Sequence, residues 1–413
     1  MKKIVILGCD AITPLGTSFD NEWQRLCRGD SGVGPLTRFA MTADFPVHIA
    51  GQIPDEPLPK YPFLSARHQA VWFSPIFAYG MLAAVRALEK SGIVIDEDIA
   101  PRLAVTYSSA IGGLDAVLAA DRRLVGGKLP HPYANPNSCI NMIGGKIAME
   151  TGATGPIFAP ISACATGLSS ILTAAMLIEA GRADAAICGA VDCPLVEPIT
   201  AGFYTMNGVF HDKEGEESAP AAASRPFSVN RRGFVISEGA GAVIIASVDF
   251  AQAHGLNWQT ELLGWSMTSD AHHFVAPHLP TVARCMAEAI ADAGIAPGDI
   301  DAVNAHATST KAGDLVEYQA LRQVFAGNIP PLTANKSQLG HCMGAASAVE
   351  TVFTLRGLTE GILPPTINYA ADPEMALDDC LTATARRLEQ RFVLKNSFGF
   401  GGCNACAVFA RRQ

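Results

Sequence analysis

The sequence is poor in charge. Charged residues fill only 17% of its 413 positions, too few for a self-repelling disordered chain or the charged faces of an extended coiled coil, so binding through long tails is not expected. Basic runs are missing as well. Lys and Arg total 30 against 39 Asp and Glu, a net charge of −9, which would repel a nucleic-acid backbone unless a local basic patch intervened. Only short basic pairs occur, among them Arg122-Arg123, Arg231-Arg232 and Arg386-Arg387, and each of these reads as solvated surface charge. At the start, Ile4 to Leu7 is the only apolar run before Gly8, Cys9 and Asp10, too short for a signal-peptide core or a membrane span. The eleven cysteines lack regular spacing, which points to reduced thiols and a cytoplasmic location.

What the chain does have is apolar residues, 49% of the total, with 38 Gly and 26 Pro. That suits a turn-rich enzyme of two domain-sized halves sharing a large core. Strands are expected at Ile4–Leu7, Leu103–Tyr107, Ala185–Val191, Gly241–Ala246, Ala302–Ala305 and Ala405–Ala410. Helices are expected at Ala78–Ser91, Gly167–Ala180, Thr281–Ala293 and Ala346–Leu358. Short β-branched runs alternating with longer helical stretches give the α/β class. The charged and Pro/Ala-rich stretch from His211 to Arg232 reads as a surface loop near mid-chain. Strands and helices resume after it, which would allow a duplicated architecture.

Around Cys164, an apolar segment, Pro156 to Ala163, turns into a helix that is apolar on nearly every face. A thiol at such a helix start would meet unpaired N–H groups and the positive end of the dipole, so a lowered pKa is expected. Taken alone, a cysteine is more often a small buried hydrophobe.

A buried-looking strand ends at His306, followed by Thr308, Ser309 and Thr310, polar groups that make sense there if they face a ligand. A second cluster holds Lys336 and His341 and enters a Gly/Ala-rich helix containing Glu350, which could pair with Lys336 in the interior. Thioester chemistry with carbon–carbon bond formation needs a nucleophile, donors to a carbonyl oxygen that becomes anionic, and a way to stabilise an enolate. One cysteine and two histidines supply those parts. The Gly-rich turn Lys395 to Cys406 could bring backbone N–H groups near a substrate oxygen. Its Cys403-x-x-Cys406 has no second pair to complete a zinc set, and a redox motif would open a helix, so it reads as structural.

Together these segments resemble the elongating, Cys-His-His β-ketoacyl-acyl carrier protein synthases over nearly the whole chain. The resemblance rests on Ile4-Val-Ile-Leu-Gly with Ile12-Thr-Pro-Leu-Gly16, on Ser162-Ala-Cys164-Ala-Thr-Gly167, and on Arg225-Pro-Phe with Arg232-Gly-Phe-Val-Ile-Ser-Glu238-Gly-Ala-Gly. Both histidine segments and Asn396-Ser-Phe-Gly-Phe-Gly-Gly402 complete it. It implies the thiolase fold, two similar α/β halves (1–250 with the cysteine, 251–413 with the histidine pair and Gly-rich gate) in a five-layered α-β-α-β-α body. It also implies a homodimer, or a heterodimer with a related chain, with sites near the subunit interface. Cys164 would accept the acyl chain, His306 and His341 would hydrogen-bond the malonyl thioester carbonyl, and the N–H groups of Cys164 and Phe400 would form the oxyanion hole. Lys336 and Glu350 would order the histidine side. Thr308 and Thr310 would hold the phosphopantetheine arm, Phe400 would gate the acyl pocket and Ile111 would shape its floor. The partners implied are an acyl carrier protein and a malonyl carrier protein, with no metal or organic cofactor.

The sequence departs from the housekeeping fatty-acid pattern. Ala307 replaces a usual Gly, Cys403 a Thr, and Val275 a pantetheine-binding Thr. The segment Arg67 to Ser74 lacks a common basic pair, and Asn207 stands where an arginine often helps dock an acidic carrier. Lost docking charge would slow encounter with an ordinary carrier, pointing to a specialised polyketide or polyene pathway, or to a partner subunit that completes the surface. Two rival readings are a thiolase-like acyltransferase on coenzyme A thioesters and a non-catalytic partner that shapes another synthase's pocket. The paired histidines argue against the first, and the intact Cys164, His306 and His341 against the second.

Overall fold

The computed structural model describes residues 3–42, 44–211 and 219–412. Every expected strand and helix is present. Ten strands form the main sheet: β1 (Ile4–Ile12), β2 (Leu103–Ser108), β3 (Ile157–Phe158), β4 (Ala185–Asp192), β5 (Gly239–Ser247), β6 (Thr260–Ser269), β7 (Ala302–Asn304), β8 (Leu332–Thr333), β9 (Phe392–Gly399) and β10 (Cys403–Arg411). Six helices do most of the packing: α1 (Pro75–Ser91), α2 (Met142–Thr151), α3 (Thr166–Glu179), α4 (Leu279–Asp292), α5 (Lys311–Val324) and α6 (Ala346–Glu360).

The sheet order is β8-β7-β9-β10-β6-β1-β5-β4-β2-β3. From the central antiparallel β1/β6 pair outward, each side runs through its first, fifth, fourth, second and third strand. The first two steps outward are antiparallel and the last two parallel on both sides. This equivalence establishes the duplication that no sequence repeat displayed.

Strand alternation sets the layers, because successive side chains leave opposite faces. Ile4 and Ile6 join the middle layer with α3 and α6, alongside strand residues from both halves. Val5 and Leu7 point the other way, to α1 and α2. In the second half, α4 and α5 cover the outer face. The result is five layers, with α3 and α6, each buried on most of its faces, at the centre, where helices apolar all round belong. They approach closely at Gly167, where a Cβ would sit 2.5 Å from the Ala348 amide nitrogen.

The expected loop from His211 to Arg232 is corrected in part. Residues 212–218 lie outside the described residues, while Ala223, Ser224, Phe227, Ser228 and Arg231 are buried. The polar composition is deceptive because its groups are matched by residues from the second half of the chain. The Phe227 amide donates to Asp314 Oδ2 at 2.7 Å, and Arg231 pairs with Asp372 at 2.6 Å. Arg231 is therefore not solvated surface charge. No helix among the described residues is long and apolar enough to cross a membrane.

Candidate active site

Cys164 lies in a single 3-10 turn, Ala163–Ala165, immediately before α3. Ala163 takes φ 47°, and the turn is tied by Ser162 N donating to Thr166 Oγ1 at 2.9 Å and Thr166 Oγ1 donating to the Ala163 carbonyl at 2.7 Å. The second half repeats the device before α6, where Met343, at φ 48°, opens the turn Met343–Ala345. The end of β9 packs onto the cysteine turn. Ser397 Oγ donates to the Cys164 carbonyl at 3.3 Å, and a Cβ on Gly399 would strike the Ser162 carbonyl oxygen.

His306 follows β7. Its amide and that of Ala307 donate to Glu317 Oε1 and Oε2 at 2.9 and 2.7 Å. The Thr308–Thr310 stretch that follows is shaped by Ser309, at φ 70°, which accepts from the amides of Arg225 and Gly233. His341 is pinned by Val235 and Ser237: its N–H donates to the Val235 carbonyl at 2.7 Å, and its carbonyl accepts from Ser237 N at 3.0 Å. The segments Arg225-Pro-Phe and Arg232 to Glu238 thus hold the two histidine loops.

The three loops converge. His341 Nε2 stands 3.0 Å from Cys164 Sγ, the histidine rings are 5.8 Å apart edge to face, and one ligating atom each from Cys164, His306 and His341 falls within a 4.8 Å cluster. That spacing alone would suit a soft metal ion, but the lysines behind the histidines put positive charge toward the same space. Phe234 packs edge-on against His341 and Phe398 against His306. All three reactive side chains open into a cavity of about 710 Å³, shared with Ile111, Phe400, Thr308 and Thr310. Val275 and Asn207 line the same cavity. The Thr308 and Thr310 hydroxyls lie 3.0 Å apart.

Lys336 and Glu350 do not reach the cavity. Lys336 Nζ donates to Glu350 Oε1 at 2.5 Å and to the His306 carbonyl at 2.6 Å, fully buried behind the histidine loop. Cys403 and Cys406 are free, and Cys406 is buried in β10.

One electrostatic expectation is reversed. The Cys164 thiol is pushed up to about 11, not down. Burial is the largest cause; the charge on Lys336 and the Phe400 amide hydrogen-bonding toward the sulfur oppose it without overcoming it. Desolvation of a charged form outweighs a short turn's dipole. Both histidines are held well below the usual histidine value, first by burial and then by the charge on Lys336. The resting pair is a thiol beside a neutral imidazole.

Three residues at the site went unrecognised in the sequence. Lys395 donates to Glu350 Oε2 at 2.7 Å. Glu317 holds the His306 loop. Asp192, at the end of β4, accepts from the amides of Ala110, Ile111 and Ala345 and from Ser109 Oγ, joining the cavity-lining Ala110–Ile111 segment to the turn after His341. A polar residue closing a buried strand, the same feature that singled out His306, would have found Asp192.

The beta-ketoacyl synthase N-terminal domain matches residues 1–251, and the C-terminal domain of the same family matches residues 259–370. The chain belongs to the β-ketoacyl synthase family. It is 34% identical to the 3-oxoacyl-[acyl-carrier-protein] synthase 2 of Vibrio harveyi over 99% of both chains, and 34% identical to that of Coxiella burnetii over the same shares. Among solved structures, a beta-ketoacyl synthase from Burkholderia phymatum superposes with a TM-score of 0.91 at 28% identity, covering both chains completely. A ketosynthase in complex with its chain length factor from Xenorhabdus doucetiae superposes with a TM-score of 0.84 at 26% identity, covering all of this chain and 98% of that one.

Proposed function

We propose that this synthase loads an acyl chain from a carrier protein onto Cys164 and extends it by decarboxylative condensation with a malonyl carrier protein. The observation that carries this is the convergence of one thiol and two neutral imidazoles on one cavity of about 710 Å³.

In loading, Cys164 Sγ attacks the carrier thioester carbonyl. Its proton passes through the adjacent neutral His341 to the departing carrier thiol, so a new thioester replaces the old one. The oxygen that becomes anionic meets the N–H groups of Cys164 and Phe400. In the second half-reaction, malonyl carrier protein loses carbon dioxide, and the enolate oxygen is held by hydrogen bonds from His306 and His341. A donor aimed at a developing oxyanion is commonly worth about 3 kcal/mol. The enolate carbon attacks the acyl-Cys164 carbonyl, the C–S bond breaks, and the leaving thiolate takes up a proton from solvent by way of His341, 3.0 Å from the sulfur. Lys336 and Glu350 hold the His306 loop through its carbonyl. Thr308 and Thr310 offer hydroxyls to the pantetheine arm, Phe400 gates the acyl pocket, and Ile111 forms part of its floor.

The cycle as written needs no resident metal or organic cofactor. In this reading residues 1–250 carry the nucleophile and 251–413 the histidines and gate, and the enzyme works in the cytoplasm with reduced thiols. Edge strand β3 exposes Ile157 and Phe158, an unpaired apolar edge of the kind that proteins cover. This supports a dimer with a second copy or a related chain.

A specialised polyketide or polyene carrier is the second reading. Asn207 and Val275 supply neither the docking charge nor the hydroxyl that a housekeeping carrier arm would meet. Kinetics with matched acyl chains on different carriers, read by mass spectrometry of the extended product, test both readings. Extension from malonyl carrier protein supports the condensing cycle, and acyl exchange with no malonyl dependence rejects it. Equal preference for a fatty-acid carrier rejects the specialised pathway.

A further inference from the structure

Behind the histidines, a single carboxylate is shared by two lysines. Glu350 Oε1 accepts from Lys336 at 2.5 Å and Glu350 Oε2 from Lys395 at 2.7 Å, and all three residues are buried. Each lysine also donates to a backbone carbonyl: Lys336 to that of His306, and Lys395 to that of its neighbour Asn396 within β9, both at 2.6 Å. A buried ammonium is costly unless paired, and one carboxylate balances only one of the two. The other acid in this layer is Glu317, which accepts from the Asn396 side chain at 3.1 Å while holding the His306 and Ala307 amides.

We propose that Lys395 is a second positioning residue of the site: it ties the β9 segment leading to Phe400 to the Lys336–Glu350 pair, and its positive charge helps keep His306 and His341 in their neutral, hydrogen-bonding form. The inference rests on the condensing cycle above, in which those rings serve the enolate.

The groups facing the two rings are Cys164 from the nucleophile turn, Lys336 from the short helix Lys336–Leu339, Glu350 from α6, Glu317 from α5, Lys395 from β9, and each other. Cys406, on β10, reaches Asn396 Oδ1 at 3.4 Å. Lys395 contributes to the depression of both histidines, after burial and Lys336. The Lys395 ammonium is itself lowered by burial, with Glu350 holding it up.

The test uses the full chain with Lys395→Met, which removes both charge and donor, and Lys395→Gln, which keeps a donor without the charge. Histidine ring titration by NMR reads the charge effect without any turnover, and steady-state malonyl decarboxylation reads its consequence. The ring pKa values and the acid limb of the decarboxylation profile should rise in both variants, by about half a pH unit. The kcat should fall by roughly tenfold, with little change in KM for the malonyl carrier, whose entry path Lys395 does not line. Unchanged ring titration in folded variants overturns the electrostatic role. Full recovery of kcat in Lys395→Gln with no shift of the acid limb likewise reduces Lys395 to a tether. If Lys395→Met fails to fold, Lys395→Gln carries the same titration. A parent enzyme with no malonyl decarboxylation would instead count against the condensing cycle and leave the titration to decide on Lys395.

Discussion

His341 Nε2 lies 3.0 Å from Cys164 Sγ, and this pair is uncharged at rest because burial raises the thiol to about 11 and depresses the imidazole. The nucleophile is therefore generated during the reaction rather than stored as a thiolate. Alkylation of Cys164 by iodoacetamide should rise about tenfold per pH unit from neutrality to pH 10, following the thiolate fraction. A rate that levels off near pH 7 would mean a resting thiolate and contradict this arrangement.

The two histidines should matter most for decarboxylation. His306→Ala and His341→Ala are each expected to lower malonyl decarboxylation by about 10²–10³-fold. His306→Ala should keep most of its acyl loading, since His306 is not the ring beside the thiol. Separate assays of the two half-reactions check this, and equal loss of both by His306→Ala would assign it a different role.

Gly399→Ala should damage the site without touching a reactive group. The added methyl would press on the Ser162 carbonyl and sit 3.1 Å from the Cys164 amide nitrogen, moving both the nucleophile and an oxyanion donor. Loading should fall by at least about tenfold, and overpacking of this kind should cost about 1–3 kcal/mol of stability, read by denaturant unfolding.

Asp314 provides a pH-dependent signature of the segment that ends at Arg231. Burial raises its carboxyl to about 7, against the hydrogen bond from Phe227 and the charge of Arg231. Between the ordinary carboxylate value and pH 7, the folded chain holds a proton that the unfolded chain has released. This contribution to stability is present at low pH and is lost as pH rises through that window. Asp314→Asn cannot titrate, so the stability of the parent relative to the variant should fall by on the order of 1 kcal/mol per pH unit as pH rises from 5 to 7. A flat difference would place the carboxyl at its ordinary value.

Much of this site was legible in the sequence because it stands at breaks in local pattern. Cys164 sits where an apolar segment turns into a helix, and His306 ends a buried strand. In the charged layer behind them the Lys336–Glu350 pair was legible, but Lys395 and Glu317 were not. Lys395 pairs with a residue 45 positions away and Glu317 with one 79 away, and no spacing rule links residues brought together only by the sheet order. Composition misled at 219–231, where polar groups are buried because partners elsewhere in the fold, Asp314, Lys336 and Asp372 among them, satisfy them. The thiol was misjudged because a helix start was weighed without the desolvation that its surroundings impose.

Covalent loading on Cys164 is the step on which everything else depends. Intact mass of the purified protein after incubation with acyl carrier proteins of different chain lengths measures it directly, with Cys164→Ala as the control. The account predicts one acyl adduct on the parent and none on the variant. An adduct that persists in Cys164→Ala, or a parent that stays unmodified with every carrier even when a related partner chain is added, would contradict it.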